Sequence, residues 1–201
     1  MAGDSEILVL YGGNLGEKQG LEIILESAHL TRERPAIRYI LAGDGAARPR
    51  LLAKTRHVGL DNIIYIDIQS EERFPLLLAA GDIHMVIQRR EAGDLVMPSK
   101  LTNIMAAWRP FIATALPGTE LARIAADSQG GILVPPGEGR ALAQAILKLA
   151  GEENTRKEMG FRARRYAEAK LSREEILSRV EDLLYLLTSH SHARRFTPAR
   201  V

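Results

Sequence analysis

A chain of 201 residues, 46% hydrophobic and 26% charged, has an ordinary globular composition and room for one large or two small domains. No apolar run approaches the roughly 20 residues that span a bilayer, and the opening MAGDSE carries neither the basic nor the apolar stretch of a secretory leader, so none is expected. The absence of cysteine excludes disulfides and thiolate metal sites, and a net charge of +2 with a pI near 9.0 argues against a nucleic-acid protein unless the charge is clustered.

Ile7–Tyr11 is a short apolar run that ends in Gly12–Gly13, which predicts a buried parallel strand. The turn Gly12–Gly16 leads into a predicted helix over Glu17–Leu30, with Leu21, Ile24, Leu25 and Ala28 on one face. Strand, glycine turn and helix in that order can cradle a phosphate with backbone N–H groups. The same turn can also be purely structural, since it is neither GxGxxG nor a P-loop. A second strand is predicted over Ile37–Ala42, closed by Gly43–Asp44–Gly45, and a helix over Pro49–Val58 follows. The third strand is Ile63–Ile66. Ser70 reads as the N-cap of a helix running to Ala80, with Glu71 and Glu72 in its first turn. The fourth strand is Ile83–Gln88.

The stretch Glu91–Thr114, EAGDLVMPSKLTNIMAAWRPFIAT, is a polar loop, a helix over Leu101–Ala107 opened by Pro98 and Ser99, and a fifth strand over Phe111–Thr114. A helix over Thr119–Ala126 and a sixth strand over Gly131–Val134 follow. Beyond Pro135–Pro136–Gly137 only helices are predicted, over Gly139–Leu149, Glu152–Ala169 and Ser172–Leu187. The last is amphipathic through Ile176, Val180, Leu183, Leu184 and Leu187. The expected division is a start or linker over 1–5, one domain over 6–170, this helix over 171–188, and a disordered tail over 189–201.

Strands alternating with helices predict an α/β, Rossmann-like parallel sheet of about six strands with helices on both faces. In such sheets ligands bind beyond the carboxyl ends of the strands. The loops Gly12–Gly16, Asp67–Gln69, Glu91–Lys100 and Thr114–Gly118 are all expected there. Lys100 falls in a first helical turn, where a cation mildly opposes the dipole. It is either a snorkelling surface lysine or, with the free N–H groups beside it, an anion contact. Basic residues cluster near the C-terminus, among them Arg156, Lys157, Arg162, Arg164 and Arg165, but they alternate with Glu158, Glu168, Glu174 and Glu175. A solvated helix face is the simpler reading, and peripheral contact with an anionic membrane or with another protein is the alternative. Apart from the His190/His192 pair, read as part of a disordered tail and not as a metal site, the histidines show no ligand spacing; His84 falls within a strand, and no metal or cofactor is called for.

Five pieces in this order carry a resemblance. GGNLGEKQGLEIILESA, LAGDG, EAGDLVMPSKLTNIMAAWRPFIAT, GGILVPPGEGRALAQAIL and RKEMGFRARRYAEAKLSREEIL resemble the C-terminal, donor-binding half of GT-B glycosyltransferases of the retaining family 4 type. The match covers about Ile7 to Leu187, and the PSKLTN form is closest to the exopolysaccharide branch, including colanic-acid fucosyltransferase-like enzymes. The resemblance implies a domain that binds a nucleotide diphosphate sugar, a GDP- or UDP-sugar, in the cytoplasm or at the inner membrane surface.

It also implies roles for residues. The two positions that are usually basic in the first loop and helix correspond to Asn14 and Gln19, both uncharged, so the diphosphate would rely on backbone N–H groups around Gly13, on Lys18 and on Lys100. The family's paired glutamates correspond to Asn103 and, in the acidic loop, to Glu91 or Asp94, with Glu91 favoured because it opens the motif. Glu91 and Lys100 are the catalytic candidates; Gly13, Asn14, Lys18, Gln19, Asp67, Asp94, Ser99 and Asn103 are the nucleotide-sugar contacts. Trp108 stands where the family carries glycine, and it is strained if that position needs positive φ. A GT-B enzyme has two such halves, so the N-terminal acceptor domain is expected to be missing from this chain or supplied in trans, leaving the isolated chain inactive as a hexosyltransferase. A non-catalytic module that keeps the fold is the alternative, and it is favoured by Asn14, Gln19, Asn103 and Trp108. A Rossmann oxidoreductase lacks its fingerprint here.

Overall fold

The structure is a computed structural model that describes residues 6–34, 36–92 and 99–193. Six parallel strands form one sheet: β1 (Ile7–Gly12), β2 (Ile37–Ala42), β3 (Ile63–Ile66), β4 (Ile83–Val86), β5 (Phe111–Thr114) and β6 (Gly131–Val134). Their spatial order is β3-β2-β1-β4-β5-β6. The α/β Rossmann-like fold expected from the alternating pattern is therefore present.

Near-continuous apolar strands need both faces of the sheet covered, and two groups of helices cover them. On one face α1 (Glu22–Leu30) packs against α6 (Gly139–Gly151), with α2 (Arg48–Val58) beside α1. Their core includes Val9, Ile24, Leu41, Met85, Ile112, Leu142 and Leu149. On the other face α4 (Ser99–Ala106) and α5 (Glu120–Ser128) pack against α7 (Glu153–Lys170), with α3 (Phe74–Ala80) supplying Leu78. That core is built around Val86, Leu101, Ile104, Phe111 and Ile124. Among the described residues no helix is long and apolar enough to cross a membrane.

Helix starts depart from the sequence reading, and each departure has a local cause. The predicted helix from Glu17 begins instead as a single 3-10 turn, Glu17–Gln19, and the left-handed Gly20 (φ 71°) separates it from α1. The helix expected from Ser70 begins at Phe74, because Pro75, which cannot donate a helical N–H, is tolerated only in a helix's first turn. Ser70 contributes its carbonyl, not a side-chain cap, to the N–H groups of Arg73 and Phe74. Strand β4 stops at Val86, since Thr114 takes over the edge: its hydroxyl accepts from the Gln88 N–H at 2.6 Å and donates to the Gln88 carbonyl at 2.8 Å. Helix α8 (Arg173–Ala193) runs on into the stretch read as a tail.

Trp108 has φ 60°, so the strain anticipated for a non-glycine residue there is present. It closes α4 where the chain presses on α7: a Cβ at Gly160 would lie 2.1 Å from the Trp108 carbonyl oxygen. The ring is half exposed and stacks on Phe161 with centroids 5.5 Å apart. Three basic residues of α7 form ion pairs one turn apart, Lys157 with Glu153, Arg162 with Glu158 and Arg164 with Glu168, while Arg156 donates to the Leu149 and Ala150 carbonyls at the end of α6.

His84 is a core histidine. It is 1% exposed on β4, and its Nε2 lies 3.0 Å from the Leu78 carbonyl, to which it donates. Burial pushes its pKa down to about 4, with Arg109 adding to the shift. The folded chain therefore stays neutral there while the unfolded chain takes up a proton below pH 6.5. The stability this contributes is complete above pH 6.5 and is lost as the pH falls towards 4. Urea unfolding at pH 7 and pH 4.5 should show a loss of roughly 2 kcal/mol from this residue. His84→Gln should remove that part of the slope, and an unchanged slope would contradict the assignment.

Candidate functional site

The strand order places the topological switch between β1 and β4, the position where open α/β sheets bind ligands beyond their carboxyl ends. The β1 loop and the β2 loop meet there. Gly13 N–H donates to the Ala42 carbonyl at 2.9 Å, Leu15 N–H to the Asp44 carbonyl at 2.8 Å, and Ala47 N–H to the Leu15 carbonyl at 2.8 Å. The approach is closest at Gly43, φ 137°, where a Cβ would lie 2.0 Å from the Gly13 carbonyl oxygen. Asp44 folds back to accept from the Gly45 N–H at 2.8 Å, which makes it a turn-former.

Against these loops lies a cavity of about 260 Å³. Gly12, Gly13, Asn14 and Gly43 form one wall, and Ile68, Phe74 and Leu77 form a more apolar one. Lys100, in the first turn of α4, reaches back to the same loop. Its Nζ is 3.3 Å from where a Gly13 Cβ would stand and 3.9 Å from the centre of the Tyr11 ring. Desolvation pushes its pKa down to about 8. Among the described residues no carboxylate pairs with it, so an anion that fills the space beside Gly13 would meet a preplaced ammonium near the positive N-terminal end of α4.

The other candidate residues fall on several elements. Asn14 and Gln19 come together over Gly16: a Cβ there would meet Gln19 Oε1 at 2.7 Å and Asn14 Nδ2 at 3.1 Å. Gln19 Oε1 is buried with no hydrogen-bond partner. Lys18 is exposed in the same 3-10 turn, Glu91 is exposed in another (Arg90–Ala92), and Ser99 and Asn103 are exposed on α4. Asp67 turns to Arg48, whose Nη2 donates at 2.7 Å, so Ile68 and Gln69 supply the cavity lining in its place. Asp94 and Pro98 lie outside the described residues. The Thr114–Gly118 loop lines a separate, wider cleft of about 630 Å³ with Leu133 and Arg123.

Sequence reasoning missed two residues. Tyr11 reads as an ordinary strand end, yet it is fully buried beneath Lys100, and its hydroxyl donates to the Asn14 carbonyl at 3.0 Å. Arg89 follows β4 and lays its chain over Gly20, with Cγ 2.7 Å from that residue's Cβ position, adding a cation beside the loop. An aromatic immediately before Gly–Gly was the available signal for the first; nothing in the sequence pointed to the second.

Comparison with known proteins agrees with this layout. Residues 6–152 match the family described as glycosyl transferases group 1. The protein named for a colanic acid biosynthesis glycosyl transferase, WcaI, of Escherichia coli (strain K12) is 38% identical over 177 residues, covering 87% of this chain and 42% of its own length. The chain thus spans less than half of that relative. Among solved structures, Anabaena HepE in complex with UDP and glucose has a TM-score of 0.76 at 18% identity, over 91% of this chain and 49% of that one. The C-terminal domain of a glycosyl transferase group 1 protein, LpcC, from Francisella tularensis has a TM-score of 0.68 at 22% identity, over 84% of this chain and 87% of that one. With its switch-point cavity, paired glycine loops and matching sequence, the chain belongs to the group 1 glycosyltransferases, as the C-terminal domain of a GT-B fold.

Proposed function

We propose that this chain is the donor-binding half of a retaining glycosyltransferase that builds a bacterial surface polysaccharide, holding a nucleoside diphosphate hexose at the β1/β4 switch point. One observation carries the reading: the Lys100 ammonium, without a carboxylate partner among the described residues, is held against the glycine loop that walls an apolar cavity. The base lies against Ile68, Phe74 and Leu77. The diphosphate lies between the Gly13–Asn14 loop and the first turn of α4 at Ser99, with Lys18 alongside. Asn103 offers its amide to the ribose hydroxyls, and Glu91 contacts the sugar. Gln19 and Asp67 shape the rim through Gly16 and Arg48.

In transfer, the C1–O bond to the phosphate breaks with its electron pair leaving on the diphosphate. A new C1–O bond forms to the acceptor hydroxyl, whose proton passes to the departing phosphate. Negative charge grows beside Lys100, which stabilises it most in the transition state. The family and its colanic acid relative support a glycosyl donor without selecting the sugar.

The acceptor belongs to an N-terminal domain outside this sequence or on another chain. The apolar face of α8 supports that: Ile176, Val180, Leu183, Leu184 and Leu187 are all exposed, 43% to 61%. Alone, the chain is expected to bind nucleotide weakly and to turn over little or no donor. A cytoplasmic location with peripheral contact at the inner membrane goes with this reading. The alternative, a non-catalytic module, draws on Asn14 and Gln19, which leave the loop without a fixed charge.

Amide spectra recorded on adding UDP or GDP test the reading. Shifts should concentrate at Gly12, Gly13, Gly43, Ile68, Gln69 and Lys100. Shifts confined to other parts of the fold, or none at millimolar nucleotide, would favour the module.

A further inference from the structure

We propose that Tyr11 is a positioning residue for the diphosphate site, its ring holding the Lys100 ammonium at the glycine loop while its hydroxyl fixes that loop's backbone. The inference rests on the donor-site reading above and adds a residue to it. Three contacts converge on this one side chain. The Lys100 Nζ lies 3.9 Å above the ring centre, within the range of a cation–π attraction. The hydroxyl donates to the Asn14 carbonyl at 3.0 Å, two residues past the strand end. The same ammonium stands 3.3 Å from the position of a Gly13 Cβ, so loop, ring and cation form one packed unit.

A lysine side chain has four flexible bonds and in water would sample many positions. Here it is drawn into a partly buried place where hydration is reduced and where, among the described residues, no carboxylate holds it. The negative face of the Tyr11 ring offsets part of that cost. A carboxylate in that role would also compete with an incoming diphosphate. A neutral ring holds the cation without neutralising it, leaving its outer side free to contact an anion. Tyr11 itself is fully buried and touches the ligand only through the loop and the lysine.

The test is a mutant cycle read by calorimetric titration with UDP and with GDP. Tyr11→Leu should weaken nucleotide binding at least ten-fold in the parent background and less than two-fold in a Lys100→Met background. Tyr11→Phe, which keeps the ring and loses only the tether to Asn14, should stay within about three-fold of the parent. Equal loss in both backgrounds, or a Phe variant as weak as the Leu variant, would overturn the proposal, because either result means that Tyr11 acts by supporting the loop alone.

A ligand-free measurement separates this inference from the donor-site reading. The ε-methylene protons of Lys100 should lie upfield of an ordinary lysine from the ring current, in the parent and in Tyr11→Phe, and should return to the ordinary position in Tyr11→Leu. Ordinary shifts in the parent would defeat the proposal even if nucleotide binds. Upfield shifts with no nucleotide binding would leave the Tyr11–Lys100 hold intact and defeat the donor site instead.

Discussion

Replacing Lys100 by Met should weaken nucleoside diphosphate binding roughly 10- to 100-fold, the loss of one or two charge-assisted hydrogen bonds, while making the folded chain more stable. The second half of this result follows from the sign of the pKa shift. Lys100 ionises at about 8 in the fold, below its ordinary value of 10.5. At pH 7 it is charged in both folded and unfolded chains, so the full desolvation penalty is present. As the pH rises through 8 the folded chain sheds the proton while the unfolded chain keeps it up to 10.5, and the penalty is relieved. Removing the charge at pH 7 should therefore add on the order of 2 kcal/mol to the unfolding free energy. A side chain that destabilises the fold where it sits, with no carboxylate partner among the described residues, is best explained by a ligand that supplies the missing charge. Thermal unfolding and nucleotide titration of the same variant give both numbers. A destabilised variant with unaltered affinity would make Lys100 a packing residue.

Gly43→Ala should be among the most damaging single-methyl changes in the chain. The added carbon would stand 2.0 Å from the Gly13 carbonyl oxygen, a backbone atom that cannot swing away, at a backbone φ of 137° that side chains rarely adopt. A loss of about 3 kcal/mol is expected from the overpacking and strain together, which for a chain of this length lowers Tm by roughly 6 to 12 °C. Nucleotide binding should fall with it, because the β1 and β2 loops can no longer close on each other. Gly59→Ala is the matched control. Gly59 also has positive φ, 70°, but nothing lies within 4 Å of its Cβ position, so only backbone strain of about 1 kcal/mol is introduced. Equal losses in the two variants would show that the approach of the two loops contributes nothing.

The sheet was legible in the sequence because the strands are largely apolar runs, most of them ended by a glycine, proline or acidic turn, and all six were located to within two residues. Helix starts were less legible. Periodicity locates the buried face of a helix, but its first turn depends on single backbone events, the left-handed Gly20 and Pro75, that apolar spacing does not register. The candidate site was partly legible for a related reason. Gly13 and Asn14 sit on a loop and Lys100 at a helix start whose positions follow from the order of the elements, so parallel-sheet topology alone brings them to one edge. Tyr11 was hidden because its importance lies in what crosses above it, a contact between residues 89 positions apart. Asp67 reads as a loop carboxylate free for a ligand, and only the fold brings Arg48 to it.

The central claim, a nucleoside diphosphate site at the β1/β4 switch point, is tested most directly by calorimetric titration of the chain with UDP and GDP beside UMP and GMP, at pH 7 and again at pH 9.5. At pH 7 one of the diphosphates should bind at least ten-fold more tightly than its monophosphate. That advantage should shrink at pH 9.5, where Lys100 has lost its proton. Equal affinity for mono- and diphosphate at both pH values, or no binding of either at millimolar concentration, would contradict the account.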